Sequence, residues 1–196
     1  MGKTRLEAFS DGVLAIIITI MVLELKVPHG AELDDLRPLA PTIVSYLISF
    51  VYVAIYWNNH HHMLHLAKRV DGKIMWANSH LLFWLSLIPF TTNWVGEHPQ
   101  HAWPNALYGI NLLCAGLAYT ILQVAIIANE GADSAMRRAV GKDWKGRISA
   151  LGYALAIGMS FVERWVAEGI YVAIALLWLI PDPRLAKVLS ASSSDD

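Results

Sequence analysis

The chain has 196 residues, of which 56% are hydrophobic and only 16% charged; its formal net charge is −1 and its mean hydropathy +0.43. Soluble domains carry about 25% charged residues, so this composition excludes a disordered chain and argues against a water-soluble one. The charge balance leaves no basic footprint for nucleic acid. Cys114 is the one cysteine, which excludes an intrachain disulfide framework and a multi-cysteine zinc site; within its apolar run it packs as a small hydrophobe. Eight Trp and seven Tyr suit a protein with two water–lipid interfaces.

Lys, Arg, Asp and Glu are missing from residues 12–23, 38–67, 74–96, 98–129, 148–162 and 169–181. A membrane-spanning helix needs about 20 mostly apolar residues. The pattern predicts an all-α integral membrane protein with six transmembrane helices, over about 6–25, 39–63, 74–95, 104–128, 147–162 and 165–180. Together they form one domain, 1–189. The first helix carries Glu7, Asp11 and Glu24. No small-residue cleavage site follows it, so it is expected to stay as a membrane helix rather than be removed as a signal peptide. Pro28, Pro38 and Pro41 mark the loop before the second helix. Pro89 is expected to kink the third, with Thr91, Thr92 and Asn93 placed to satisfy a freed carbonyl. Gly109, Gly116 and Ala118 in the fourth helix, and Gly152 and Gly158 in the fifth, are small-residue packing positions. The last two helices are short and meet at a charged turn, Glu163-Arg164. The tail 190–196, rich in Ser and Asp, is expected to be disordered.

Orientation follows from the basic residues. One set of loops holds twelve: Lys3, Arg5, Lys68, Arg69, Lys73, Arg137, Arg138, Lys142, Lys145, Arg147, Arg184 and Lys187. The other set holds Lys26, Arg37 and Arg164. Basic loops stay inside, so both termini are expected to be cytoplasmic. The outer loops carry seven acids against those three bases, a balance that concentrates cations at the outer face.

Ionisable groups inside a membrane are costly and mark functional sites. Asp11 is the carboxylate placed well inside, in the segment Arg5-Leu6-Glu7-Ala8-Phe9-Ser10-Asp11. The pattern Arg5-x-x-x-Phe9-Ser10-Asp11 near the start of a first helix resembles the signature of the transmembrane protein 175 family of potassium channels. Tyr56-Trp57 followed by His60 and His61, and the ending Leu177-Trp178-Leu179-Ile180-Pro181-Asp182, resemble further parts of that family. The resemblance implies a homotetramer in a bacterial plasma membrane, with potassium as the permeant ion and no bound cofactor. Its pore would be lined by the first helix of each subunit, without a Thr-Val-Gly-Tyr-Gly filter, and no such segment occurs in this chain. It also implies that Ile16, five positions after the motif Asp, forms the pore constriction, with Thr19 three positions further and Leu23 one turn beyond.

Helical geometry places Arg5, Phe9, Gly12, Ile16, Thr19 and Leu23 on one stripe. On periodicity alone such a stripe is ordinary helix–helix packing; together with the resemblance it becomes a pore face. Asp11 lies about 140° from Ile16 around the helix, so it is expected to face neighbouring helices rather than the axis. His80, near the same end of the third helix, is the expected polar partner of Asp11. His61 and His65 have a zinc-type i,i+4 spacing, but no third ligand lies nearby, and no metal site is expected. No Ser/His or paired-Asp pattern at membrane depth supports catalysis. The expected partners are further copies of the chain, membrane lipid and monovalent cations. The alternative reading is a small oligomeric secondary transporter of cations or protons; such proteins usually show internal repeats, and none is visible here.

Overall fold

The charge-free stretches fold into helices whose ends are set by caps and prolines. The computed structural model describes residues 2–131, 134–141 and 143–179. α1 runs over Lys3–Leu23. A loop and a 3-10 helix, Leu33–Leu39, lead into α2, Ala40–Leu66, which has Pro41 in its first turn, where a missing N–H costs nothing. Asp71 caps α3, Gly72–Ser86, by accepting from the Ile74 N–H at 2.8 Å. α4 covers Ile88–Glu97 and α5 covers Ala102–Glu130, after which Gly131 adopts a φ of 94°. The short α6, Ala135–Val140, is capped by Ser134. Asp143 caps α7, Trp144–Met159, from a left-handed conformation, and α8 covers Arg164–Leu179. No strand occurs among the described residues. Lys142, Ile180–Asp182, Arg184, Lys187 and the tail 190–196 lie outside them.

The segment expected as one helix over 74–95 is divided into α3 and α4 at Leu87. Pro89 has no N–H to give the carbonyl four residues back, so the ladder cannot continue through it. The Thr91 hydroxyl bonds the Leu87 and Ile88 carbonyls, each at 3.2 Å. Among the described residues, three helical stretches are long and apolar enough by themselves to cross a membrane: Lys3–Leu23, Leu33–Leu66 and Ala102–Glu130.

α5 is the central post. It packs against α3 and α4 on one side and α7 and α8 on the other, with Leu112, Ala115, Ala118, Leu122 and Ile126 fully buried. α2 bridges α1, α4 and α8, whereas α1 packs mainly on α2, α3 and α4 at the edge of the bundle. At one end of the bundle Lys26 pairs with Glu97 at 2.5 Å, which lifts the ammonium pKa above its ordinary value and holds the carboxyl below its own. At the same end Arg164 donates to the Pro99 carbonyl. At the other end Lys3 donates to the His65 carbonyl, Asn129 to that of Arg69 and Lys145 to that of Leu177.

The core contains polar groups held by partners on neighbouring helices. The Tyr52 hydroxyl donates to the Tyr171 carbonyl at 2.6 Å, and the Tyr171 hydroxyl donates to the Asn105 carbonyl at 3.1 Å. Ser49 lies 3.0 Å from the Tyr108 hydroxyl and accepts from Thr92 at 2.7 Å. Such bonds tie helices together where lipid gives no hydrophobic drive for their association.

Close approach does the rest. A Cβ on Gly96 would sit 2.7 Å from the Thr42 Cα, a backbone atom that cannot swing aside, and one on Gly109 would strike the Tyr171 hydroxyl. A Cβ on Gly158 would meet nothing. Gly96→Ala is therefore expected to cost about 1–3 kcal/mol through overpacking, seen as a lower melting temperature of the detergent-solubilised protein. Gly158→Ala should leave the melting temperature unchanged or raise it slightly.

Candidate functional site

α1 has two faces of similar composition and opposite fate. Leu6, Ser10, Leu14, Ile17 and Met21 are buried against the rest of the chain. Arg5, Phe9, Gly12, Ile16, Thr19 and Leu23 are exposed. The adjacent residues Ile16 and Ile17 illustrate the split: one is 59% exposed, the other 2%. The Thr19 hydroxyl donates to the Ala15 carbonyl at 2.9 Å. Its proton is thus engaged inside the helix, and its oxygen lone pairs are presented outward as acceptors.

A buried polar chain holds this rotation. The His60 Nε2–H donates to Asn78 Oδ1 at 2.7 Å, Asn78 Nδ2 donates to Ser10 Oγ at 3.0 Å, and Ser10 donates to the Leu6 carbonyl at 2.8 Å. All three side chains are buried, so α1, α2 and α3 are joined through hydrogen bonds away from water. Asp11, the next residue, lies at the rim. Its Oδ1 accepts from Trp57 Nε1 of α2 at 3.0 Å, and both side chains are exposed.

The expected pairing of Asp11 with His80 does not form within the chain. His80 is exposed and accepts from Trp84 Nε1, one turn along its own helix. The residue of α3 that reaches the motif is Asn78, and it meets Ser10 rather than Asp11. A signal for this lies in the sequence: Ile74, Leu81 and Leu85 form the apolar stripe of α3, and Asn78 falls within it whereas His80 does not. The histidines of α2 also diverge. His60 turns inward to Asn78, while His61 stacks between Trp57 and His65. Among the described residues no group of three His, Cys, Asp or Glu could hold a metal.

A model of the family described as the endosomal/lysosomal potassium channel TMEM175 matches residues 5–89, the stretch from the Arg5 motif to Pro89. A potassium channel of Chryseobacterium sp. (strain P1-3) is 53% identical over 96% of this chain and 98% of its own length. The chain belongs to the TMEM175 family. A potassium channel of Chamaesiphon minutus is 32% identical over 90% of the chain and 93% of its own length. The fold is similar to the crystal structure of a lysosomal potassium-selective channel TMEM175 homolog from Chamaesiphon minutus, with a TM-score of 0.78 at 28% identity, covering 91% of this chain and 96% of that one. The family is one of membrane ion channels, not of enzymes.

In this TMEM175 chain the polar relay, not the motif carboxylate, carries the buried contacts of α1. Asn78→Leu leaves the buried His60 ring without its partner and is expected to cost about 1–3 kcal/mol. His80→Leu removes an exposed contact and should cost less than about 0.5 kcal/mol. Thermal unfolding of the two solubilised variants side by side checks the difference.

Proposed function

We propose that this chain is a potassium-preferring cation channel whose conducting form is a homotetramer, with α1 of each subunit lining a central pore. The observation that carries the reading is the exposed stripe Phe9, Gly12, Ile16, Thr19 and Leu23 on a helix whose opposite face is locked into its own subunit. A single α1 cannot enclose a pathway, so such a face needs further copies around it. The names of the relatives, potassium channel and potassium-selective channel, support the permeant ion. The proposed membrane arrangement has six crossings, by α1, α2, α3 with α4, α5, α7 and α8. Both termini lie in the cytoplasm and the whole in a bacterial plasma membrane, as the basic-residue bias and the bacterial relatives support.

In this arrangement four Ile16 side chains form an aliphatic ring. An ion gains no ligand there, so a narrow ring closes by dewetting and conducts when it widens enough for water to accompany the ion. Thr19 follows about 4.5 Å along the axis. With its proton on the Ala15 carbonyl, each hydroxyl offers its oxygen to a partly hydrated cation. Preference for potassium arises at this layer and is modest, because no rigid cage of carbonyls replaces the hydration shell. Asp11 acts in subunit packing through Trp57 rather than as a charged ring on the axis.

The test compares two faces of one helix in planar bilayers under opposing potassium and sodium gradients. Ile16→Asn wets the constriction and is expected to raise conductance and lower potassium preference. Thr19→Val should lower that preference without abolishing current, and Leu23→Ala should act more weakly. Ile17→Asn buries an amide inside the subunit and should lower stability, yet in assembled protein it should leave conductance unchanged. Equal gains at Ile16 and Ile17 would remove α1 as the pore wall. Flux that saturates at carrier turnover would instead favour the transporter reading.

A further inference from the structure

At the end of the bundle that holds Lys26 and Glu97, a cavity of about 270 Å³ opens between the starts of α2, α5 and α8. Its walls include Val44 and Ile48 of α2, Asn105 of α5, and Arg164, Trp165 and Glu168 of α8. Two charges of opposite sign line it from one helix. Arg164 spends one N–H on the Pro99 carbonyl at 2.6 Å and lies over the Trp165 ring, 4.4 Å from its centroid. Glu168, half-buried, accepts from Asn105 Nδ2 at 3.5 Å. The two are spaced i,i+4, where an acid and a base commonly pair, yet no ion pair forms between them: Arg164 is held toward Pro99 and Trp165 instead.

The cavity thus offers a guanidinium and a carboxylate from successive turns of α8 that are bound to other partners rather than to each other. A simple cation entering it is opposed by Arg164, and a simple anion by Glu168. A zwitterion with a phosphate at one end and an ammonium at the other satisfies both. The surroundings point to a lipid as its carrier. Trp103 and Trp165 are exposed at this end, as aromatic residues are at a membrane interface. Val44 on the cavity wall is itself exposed, an apolar contact for an acyl chain next to the two charges.

We propose that this cavity binds the phosphoethanolamine headgroup of a membrane lipid, with its phosphate on Arg164 and its ammonium on Glu168 and Asn105. The site lies apart from the exposed face of α1 and holds whether or not that face lines a pore. A primary ammonium donates hydrogen bonds to the carboxylate; a trimethylated choline has no N–H to give. The site therefore discriminates by the number of N–H groups on the lipid amine.

Native mass spectrometry of the delipidated full chain tests this. The probes are phosphatidylethanolamine, its mono- and dimethylated forms, phosphatidylcholine, phosphatidylglycerol and soluble glycerophosphoethanolamine. Affinity is expected to fall stepwise with N-methylation, by about tenfold from ethanolamine to choline, as for one charge-assisted hydrogen bond lost from a desolvated site. Phosphatidylglycerol, which lacks the ammonium, should bind at the choline level or below. Glu168→Gln should abolish the ethanolamine preference, and Arg164→Gln should weaken the ethanolamine and choline lipids alike. Equal affinity across the methylation series, measured on the unaltered protein and so independent of any variant's folding, would overturn the proposal. So would an ethanolamine preference that survives in Glu168→Gln. Soluble glycerophosphoethanolamine binding as tightly as the lipid would overturn the lipid as the occupant.

Discussion

Between α1, α2 and α3 a chain of hydrogen bonds runs in one direction, from the His60 ring to Asn78, from Asn78 to Ser10, and from Ser10 into the Leu6 carbonyl. Donors and acceptors match at every step, and no link is open to water. An apolar helix against apolar neighbours has many nearly equivalent rotations, because one aliphatic face packs about as well as another. A buried polar chain removes that degeneracy, since turning α1 by one residue would carry Ser10 away and leave the buried Asn78 Nδ2 without its acceptor. The division of α1 into a locked and an exposed face depends on it.

The other helices frame α1 by contrasting means. Pro89 interrupts the third segment, and the Thr91 hydroxyl occupies the carbonyls around the break. α4 can then follow its own course, with Gly96 seated on the backbone of Thr42. Farther from α1, buried tyrosines from α2, α5, α7 and α8 pack against one another, and two of them, Tyr52 and Tyr171, bond backbone carbonyls. This half of the subunit is a rigid support, and α1 stands at its edge. In the proposed assembly, a pore wall built on such a helix would move by displacement of subunits against one another more readily than by rearrangement inside one of them, because the internal contacts are polar, paired and close.

The two ends of the bundle differ chemically. One gathers the basic residues Lys3, Lys68, Arg69 and Lys145, with the Lys3 and Lys145 ammonium groups on backbone carbonyls and the Lys68 backbone N–H on Glu130. The other combines Glu97, Glu168 and Arg164 with exposed tryptophans. An acidic face and an interfacial aromatic belt at the same end are compatible with attraction of cations and with lipid contact in separate places.

Much of this is legible in the amino-acid sequence. The spacing of charges marks the helical segments, because burying an unpaired charge in hydrocarbon is too costly to be frequent. The Arg5–Asp11 motif points to the family, and two of its side chains, Ser10 and Asp11, are held by bonds to α3 and α2. The 3-4 rhythm places Ile16, Thr19 and Leu23 on one stripe, since helical pitch is a local property. The sequence does not show which stripe of α1 is buried. In a membrane protein both faces are apolar, so Ile16 and Ile17 are indistinguishable by composition, and only the packing of α2, α3 and α4 against one side separates them. Nor does depth along the helices distinguish His80 from Asn78 as the residue that meets the motif. The apolar stripe of α3 places Asn78 on the buried face, but its meeting with Ser10 rests on contacts between segments some seventy residues apart. Composition, pitch and charge spacing act along the chain and can be read from it; the pairing of Ser10 with Asn78, and the Arg164–Glu168 cavity, arise only when distant segments meet.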